Sequence, residues 1–258
     1  MKVVIFAGGL GTRLAEETDT RPKPMVEIGG KPILWHIMKI YSHYGFNDFI
    51  ICLGYKGYVI KEYFMNYFLH NSDISIDIAN NKMEVLGSHS EAFKVTLIET
   101  GNNTKTAGRL QQVQKYIGNN DFMLTYGDGV TDINIADLVA FHKSHNKIAT
   151  VSAVQLEARF GGMEINDNSE VASFREKAKD ESKWINAGFF VLKPEVFKYI
   201  SGNMNDMMWE DEPLENLTRD NQLVAYKHTG FWKCMDAMRD KIELESMWKD
   251  DTAKWKKW

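Results

Sequence analysis

A short apolar run that breaks into glycines near the start of the chain constrains its fold more than any other feature. Residues 3–7, Val3-Val4-Ile5-Phe6-Ala7, are rich in β-branched side chains and too few for a stable helix, which predicts a buried parallel strand. Gly8, Gly9 and Gly11 follow, with Leu10 among them. Glycines permit positive φ and close approach by a ligand, which suits a loop whose backbone N–H groups face phosphate oxygens. Thr12 adds a hydroxyl donor, Arg13 a bidentate guanidinium, and Lys23, between Pro22 and Pro24, a second positive charge on a stiffened segment. Such a stretch suits a triphosphate. The third glycine of a dinucleotide fingerprint is missing and no Gly-Lys-Ser/Thr follows, so neither a Rossmann dehydrogenase nor a P-loop NTPase fits.

Beyond the loop, apolar periodicity alternates between helix and strand. A helix is expected over about 32–44, with Ile33, Leu34, Ile37, Ile40 and Tyr41 on one face, then a strand over 48–53 and a helix over about 58–69. Strands follow at 73–79 and 93–99, separated by a polar loop or hairpin, and then a helix at 106–117. The apolar run 122–126 stops at Gly127-Asp128-Gly129. The remainder predicts a helix at 135–144, a strand at 148–154, two short strands within 161–174 and a strand at 184–192. A short helix at 213–219, a strand at 223–227 and a closing helix at 236–248 complete the chain, and 209–214 reads as an acidic helix entrance with a further role at the site left open. This order predicts an α/β fold, doubly wound with a mostly parallel sheet and a Rossmann-like N-terminal half. One domain is expected over 1–258, with a nucleotide-binding half of about 1–130 and a second half of about 131–258 that carries a small elaboration and the closing helix.

Composition narrows the partners. A net charge of −4 leaves no basic footprint for nucleic acid, so positive charge must be local, at a site for an anionic small molecule. Cys52 and Cys234 lack metal-like spacing and are expected as buried free thiols in a reducing cytoplasm. The opening residues form neither a signal peptide nor a membrane anchor by length or charge. His142 and His145 are three apart on a helix without a matching carboxylate, so they are expected to be solvated rather than metal ligands. Trp248, Trp255 and Trp258 predict packing of the tail, on this chain or a neighbour.

Strand, three glycines, Thr-Arg and Pro-Lys-Pro in this order resemble the sugar-nucleotide pyrophosphorylases, nucleotidylyltransferases that join a nucleoside triphosphate to a sugar 1-phosphate. The similarity runs over essentially the whole chain. It implies a GT-A-like nucleotidyltransferase fold with a small sugar-binding elaboration and Mg²⁺ as cofactor. Phe6, Ala7, Gly8, Gly9, Leu10, Gly11, Thr12, Arg13, Lys23, Thr104, Arg109 and Gly127 would bind nucleotide, and Arg13 and Lys23 would be catalytic. Magnesium takes one or two carboxylates plus waters and phosphate oxygens. The resemblance places a metal-binding aspartate after the central strand and another late in the chain, where Asp128 and Asp236 stand. Asp236 also opens the expected last helix, where aspartate is a favoured N-cap, so both roles are open on sequence. Phe-Arg-Glu-Lys-Ala at 174–178 resembles the family's Phe-x-Glu-Lys-Pro segment, implying that Lys177 meets the sugar phosphate and Glu176 the sugar, with Ala178 where proline is usual. Asn186 and Gly188 match the segment lining the sugar pocket.

Within that family the Gln-containing segment of uridylyl and thymidylyl members is missing. Glu99-Thr100-Gly101, Thr104 and Ala107-Gly108-Arg109-Leu110 resemble the cytidylyl subgroup instead. The resemblance therefore implies CTP and glucose 1-phosphate as substrates, CDP-glucose and pyrophosphate as products, and a role in deoxysugar synthesis for surface polysaccharide. It also implies a cytoplasmic homo-oligomer, a hexamer by analogy, with neither nucleic acid nor membrane as partner. UTP or dTTP as nucleotide, or a non-catalytic regulator that binds sugar nucleotides, are the alternatives. Arg13, Lys23, Asp128 and Asp236 together argue against the regulator, which needs no metal carboxylates.

Overall fold

The computed structural model describes residues 1–155, 162–165, 170–175 and 183–258. The opening apolar run is strand β1 (Val3–Phe6), buried along its whole length. On one side it pairs in parallel with β2 (Asp48–Leu53), which in turn pairs in parallel with the edge strand β3 (Lys94–Glu99). On its other side lies β4 (Phe122–Tyr126), also parallel. Strands β5 (Ala149–Val154), β6 (Ile185–Leu192) and β7 (Leu223–His228) complete a seven-stranded sheet in the order β7-β5-β6-β4-β1-β2-β3. All run in one direction except β6, which is antiparallel to both neighbours. A doubly covered apolar strand reads the same in either direction, so this reversal is invisible to periodicity.

Alternation along β1 divides the core into two layers. Val3 and Ile5 join Ile33, Leu34 and Ile37 of α1 (Ile33–His43), together with Ile60 of α2 (Gly57–His70). Val4 and Phe6 point the other way, toward Ala107, Leu110 and Val113 of α3 (Thr106–Ile117). Helix α4 (Ile135–Ser144) packs with the first layer and α5 (Glu212–Arg219) with the second, so helices cover both faces of the sheet. The closing helix α6 (Met238–Lys249) starts two residues later than its expected bound of 236, which matters for Asp236 below. The polar stretch between β2 and β3 forms a hairpin, Ser72–Asp77 with Lys82–Ser88. Among the described residues no helix is long and apolar enough to cross a membrane.

The tail packs on this chain. Trp255 is fully buried, stacked on Phe231 and Trp248, and its indole N–H faces Nδ1 of the buried His36 at 3.4 Å. His142 corrects the expectation of a solvated pair: it is fully buried against β5, with Nδ1 at 2.8 Å from the Thr150 hydroxyl, while Nε2 of the half-buried His145 lies at 2.9 Å from that hydroxyl.

Burial pushes both His36 and His142 down from 6.5 to about 4. The unfolded chain therefore takes up protons below pH 6.5 that the native chain refuses until about pH 4. Stability should be full above that upper value and fall as pH drops through the window, by at most about 3 kcal/mol per histidine. Urea midpoints across this range check it. Substituting His142→Gln should flatten the decline, and an unchanged slope would show that His142 does not drive it.

Candidate active site

Parallel pairing sets the site. Phe6 lies opposite Tyr126 in the β1–β4 register, and the Gly127 N–H continues the ladder to the Phe6 carbonyl at 2.9 Å. The glycine loop and Gly127-Asp128 therefore leave the sheet side by side at its carboxyl rim, where open α/β sheets hold ligands. Because β6 runs backwards, its beginning reaches this rim as well, with Phe189 opposite Thr125 and Asn186 to Gly188 just beyond. Between these elements lies a cleft of about 540 Å³.

Two three-residue strands bring the late aspartate to the early one. Gly129–Thr131 pairs antiparallel with Trp232–Cys234, and the Met235 N–H donates to the Asp128 carbonyl at 2.8 Å. This register places Asp128, Cys234 and Asp236 so that one ligand atom from each lies within 4.8 Å of the others. Asp236 is not the N-cap of α6, a position held by Ala237. Its backbone N–H and that of Ala237 instead donate to the Asp240 carboxylate, at 3.1 and 2.9 Å. The Asp236 carboxylate, with no capping duty, faces the cleft.

Lys23 closes the group. Its ammonium lies 2.7 Å from Asp128 Oδ2 and 2.7 Å from Asp236 Oδ1, and Arg13 donates to Asp236 Oδ2. A helical turn, Lys23–Met25, holds the lysine there, and its buried Pro24 packs on Gly127 so closely that a Cβ at Gly127 would meet Pro24 Cγ at 2.9 Å. Burial alone would lower the Lys23 pKa, but the charge and hydrogen bond of Asp128 and the hydrogen bond to Asp236 outweigh it and raise the pKa. Asp236 shows the mirror effect: burial opposes its ionisation, yet Lys23 and then Arg13 hold it below the usual carboxylate range. The Asp128 and Asp236 carboxylates, brought together at the cleft, form a group that can hold a divalent metal. Burial and then the Asp128 charge push the Cys234 thiol up, so it stands there as a neutral group.

The remaining expected residues divide by what they touch. Phe6, Ala7, Gly8, Gly9, Gly11 and Thr12 line the cleft, as do Thr104, Gly127, Asn186 and Gly188. Leu10 sits at the loop's exposed tip. Arg109 lines the cleft too, yet its guanidinium is almost wholly buried and committed to protein: Nη1 donates to the Leu53 carbonyl at 2.9 Å and the Thr100 hydroxyl at 2.6 Å, and Nη2 to the Gly8 carbonyl at 3.0 Å. It clamps the glycine loop to the end of β2. Glu176 and Lys177 lie outside the described residues. Tyr126, Trp232, Cys234 and Met208 also line the cleft, and sequence reasoning missed them as site residues.

Gly188 is explained by a close approach. Its φ is +82°, and a Cβ there would stand 2.4 Å from Tyr126 Cδ2. Substituting Gly188→Ala should destabilise the protein by about 1–3 kcal/mol through backbone strain and overlap. A denaturant midpoint equal to the parent's would show that the rim absorbs the methyl.

A family model described as nucleotidyl transferase matches residues 2–250. The chain belongs to that family. It is 53% identical over its full length, and the relative's, to the glucose-1-phosphate cytidylyltransferase of Salmonella typhimurium. It is 45% identical, again with both chains fully covered, to the Bacillus subtilis protein named "Probable glucose-1-phosphate cytidylyltransferase". The solved structure of a UDP-glucose pyrophosphorylase complexed with UDP-glucose superposes with a TM-score of 0.69 at 17% identity, covering 97% of this chain and 98% of that one. At that identity the likeness concerns the fold, which is the α/β nucleotidyltransferase architecture expected from the sequence.

Proposed function

We propose that this chain catalyses transfer of a cytidylyl group from CTP to α-D-glucose 1-phosphate, releasing pyrophosphate and forming CDP-glucose, with Mg²⁺ as the metal. The observation that carries the proposal is Lys23 and Arg13 meeting Asp128 and Asp236 beside the glycine loop, at the mouth of one cleft. In the reaction a sugar phosphate oxygen attacks the α-phosphorus and pyrophosphate departs, so the protein has charge to neutralise and groups to align. Asp128 and Asp236 would hold the metal, which supplies charge stabilisation to the phosphate oxygens. Hard carboxylate oxygens suit magnesium, and the neutral Cys234 thiol does not compete as a ligand for it. Lys23 and Arg13 supply positive charge to the triphosphate, and the loop Gly8 to Thr12 its backbone and hydroxyl donors. The choice of cytidine and glucose rests on the full-length identity to the Salmonella enzyme.

Glu176 and Lys177 complete the reading as the groups that meet the sugar and its phosphate. Substituting Lys177→Ala should weaken glucose 1-phosphate binding about tenfold or more, as expected for a lost ion pair in a partly closed site, and leave CTP binding nearly unchanged. Separate titrations with each substrate check this, and equal loss for both would remove Lys177 from the sugar-phosphate site. In this reading the enzyme works as a cytoplasmic homo-oligomer, in line with its two free cysteines, and its product feeds deoxysugar synthesis for surface polysaccharide.

The test is pyrophosphate release by the purified protein with each of four nucleoside triphosphates and several hexose 1-phosphates. CTP with glucose 1-phosphate should show the highest kcat/KM. Preference for UTP or dTTP, or for another hexose phosphate, would overturn the substrate assignment.

A further inference from the structure

The acidic stretch before α5 does more than enter a helix. Residues 205–209 are stitched along the first turn of α3: Lys105 N–H donates to the Asn205 carbonyl at 2.8 Å, Ala107 N–H to the Met207 carbonyl at 3.1 Å, and Trp209 N–H to the Thr106 hydroxyl oxygen at 2.7 Å. Glu210 follows, ahead of the first helical residue Glu212, and turns its carboxylate back toward the cleft wall. One oxygen accepts from the Tyr126 hydroxyl and the other from the Thr106 hydroxyl, at 2.8 Å for the latter. Tyr126 and Thr106 both line the cleft, from opposite sources. Tyr126 ends β4 two residues before Asp128 and lies under Gly188, whereas Thr106 opens the helix whose Arg109 clamps Gly8.

We propose that Glu210 is a positioning residue for nucleotidyl transfer, tying the wall that opens α3, with Thr104 and Thr106, to the wall that carries Tyr126, Asp128 and Gly188. The proposal rests on the reading of the cleft given above. A single carboxylate suits this task because it accepts two O–H donors at once, and each such charge-assisted bond is stronger than a neutral one. The Tyr126 hydroxyl is the donor in its bond, since the carboxylate oxygens only accept. With both hydroxyls held, the tyrosine ring is fixed against Gly188 and against Phe6, whose ring centroid is 5.9 Å away.

Displacement at phosphorus depends on alignment of attacking and leaving oxygens, so loosening two walls that each still bind their substrate should cost rate more than affinity. Glu210→Gln keeps the shape but removes the charge and one acceptor oxygen, so the Thr106 hydroxyl loses the oxygen to which it donates and must turn its proton away from the new NH₂ group. Steady-state kinetics of Glu210→Gln, Tyr126→Phe and the double variant test the proposal. Each single variant should lose about tenfold in kcat with either KM changing less than about threefold, and the double variant should be no slower than the slower single, because both cut one link. Thr106→Val severs the other arm and carries the same expectation if Glu210→Gln fails to fold. Multiplicative losses in the double variant would overturn the proposal. So would a wild-type kcat, or a loss lying wholly in KM, accompanied only by a lower melting temperature. The cycle is run on whichever nucleotide and hexose phosphate the parent turns over fastest, so a wrong substrate assignment is seen in the parent and a wrong role for Glu210 in the cycle.

Discussion

Asp128→Asn and Asp236→Asn should each lower turnover by about 10²–10³ while the protein still folds, the scale seen when one preorganised electrostatic group is removed from an active site. Asparagine keeps the shape and can still accept from Lys23, so what disappears is one negative charge facing the cleft. Asp128 meets the late segment through its backbone carbonyl, which accepts from Met235, and that contact survives the substitution. For Asp236 the competing role was helix capping, worth about 1 kcal/mol of stability and nothing in rate. The structure gives that position to Ala237, with the Asp240 carboxylate serving the N–H groups there. Turnover and melting temperature measured together separate the two roles. Near-normal turnover with a lower melting temperature in Asp236→Asn would remove it from the metal pair.

The parts of this fold that were legible are those fixed by local pattern. Helices α3 and α4 occupy the expected residues, and β1, β2 and β4 are the expected buried runs, since a period of 3.6 or a short solid apolar stretch needs no knowledge of the rest of the chain. The direction of β6 was not legible, because a buried strand carries no polar face to orient it. Gly129–Thr131 and Trp232–Cys234 are three residues each, too short to show a period, yet their register decides that Asp236 meets Asp128. Asp236 could be named from family resemblance and not from its neighbours. The buried state of His142 and the clamp by Arg109 were hidden for a similar reason: each depends on an element outside its own helix, β5 for the histidine and the Gly8 carbonyl for the arginine.

Lys23→Ala should move two measurements in opposite directions. Turnover should fall about 10²–10³, and by more than either KM rises, because an ammonium beside the developing pyrophosphate charge acts chiefly in the transition state. Magnesium binding to the protein should tighten. The reason is geometric: Asp128 Oδ2 and Asp236 Oδ1, each 2.7 Å from Lys23 Nζ, are the oxygens that a metal bound by this pair would use, so ammonium and metal compete for them. Removing the lysine also leaves the two carboxylates facing each other without the cation they share, which raises the attraction for any divalent ion. The lysine's pKa is raised in this setting, so it is charged throughout the working range and the competition does not vanish with pH near neutrality. Among the described residues Arg13 pairs with Asp236 alone of the two aspartates, and its side chain is 78% exposed, so Arg13→Ala should reproduce the kinetic loss in smaller measure, with little change in metal affinity. Calorimetric titration of Mg²⁺ into parent and variant, beside steady-state kinetics, decides the matter. A variant that only raises the Michaelis constant for the nucleotide would make Lys23 an anchor rather than a catalytic group, and weaker magnesium binding would show that the lysine organises the carboxylates instead of competing for them.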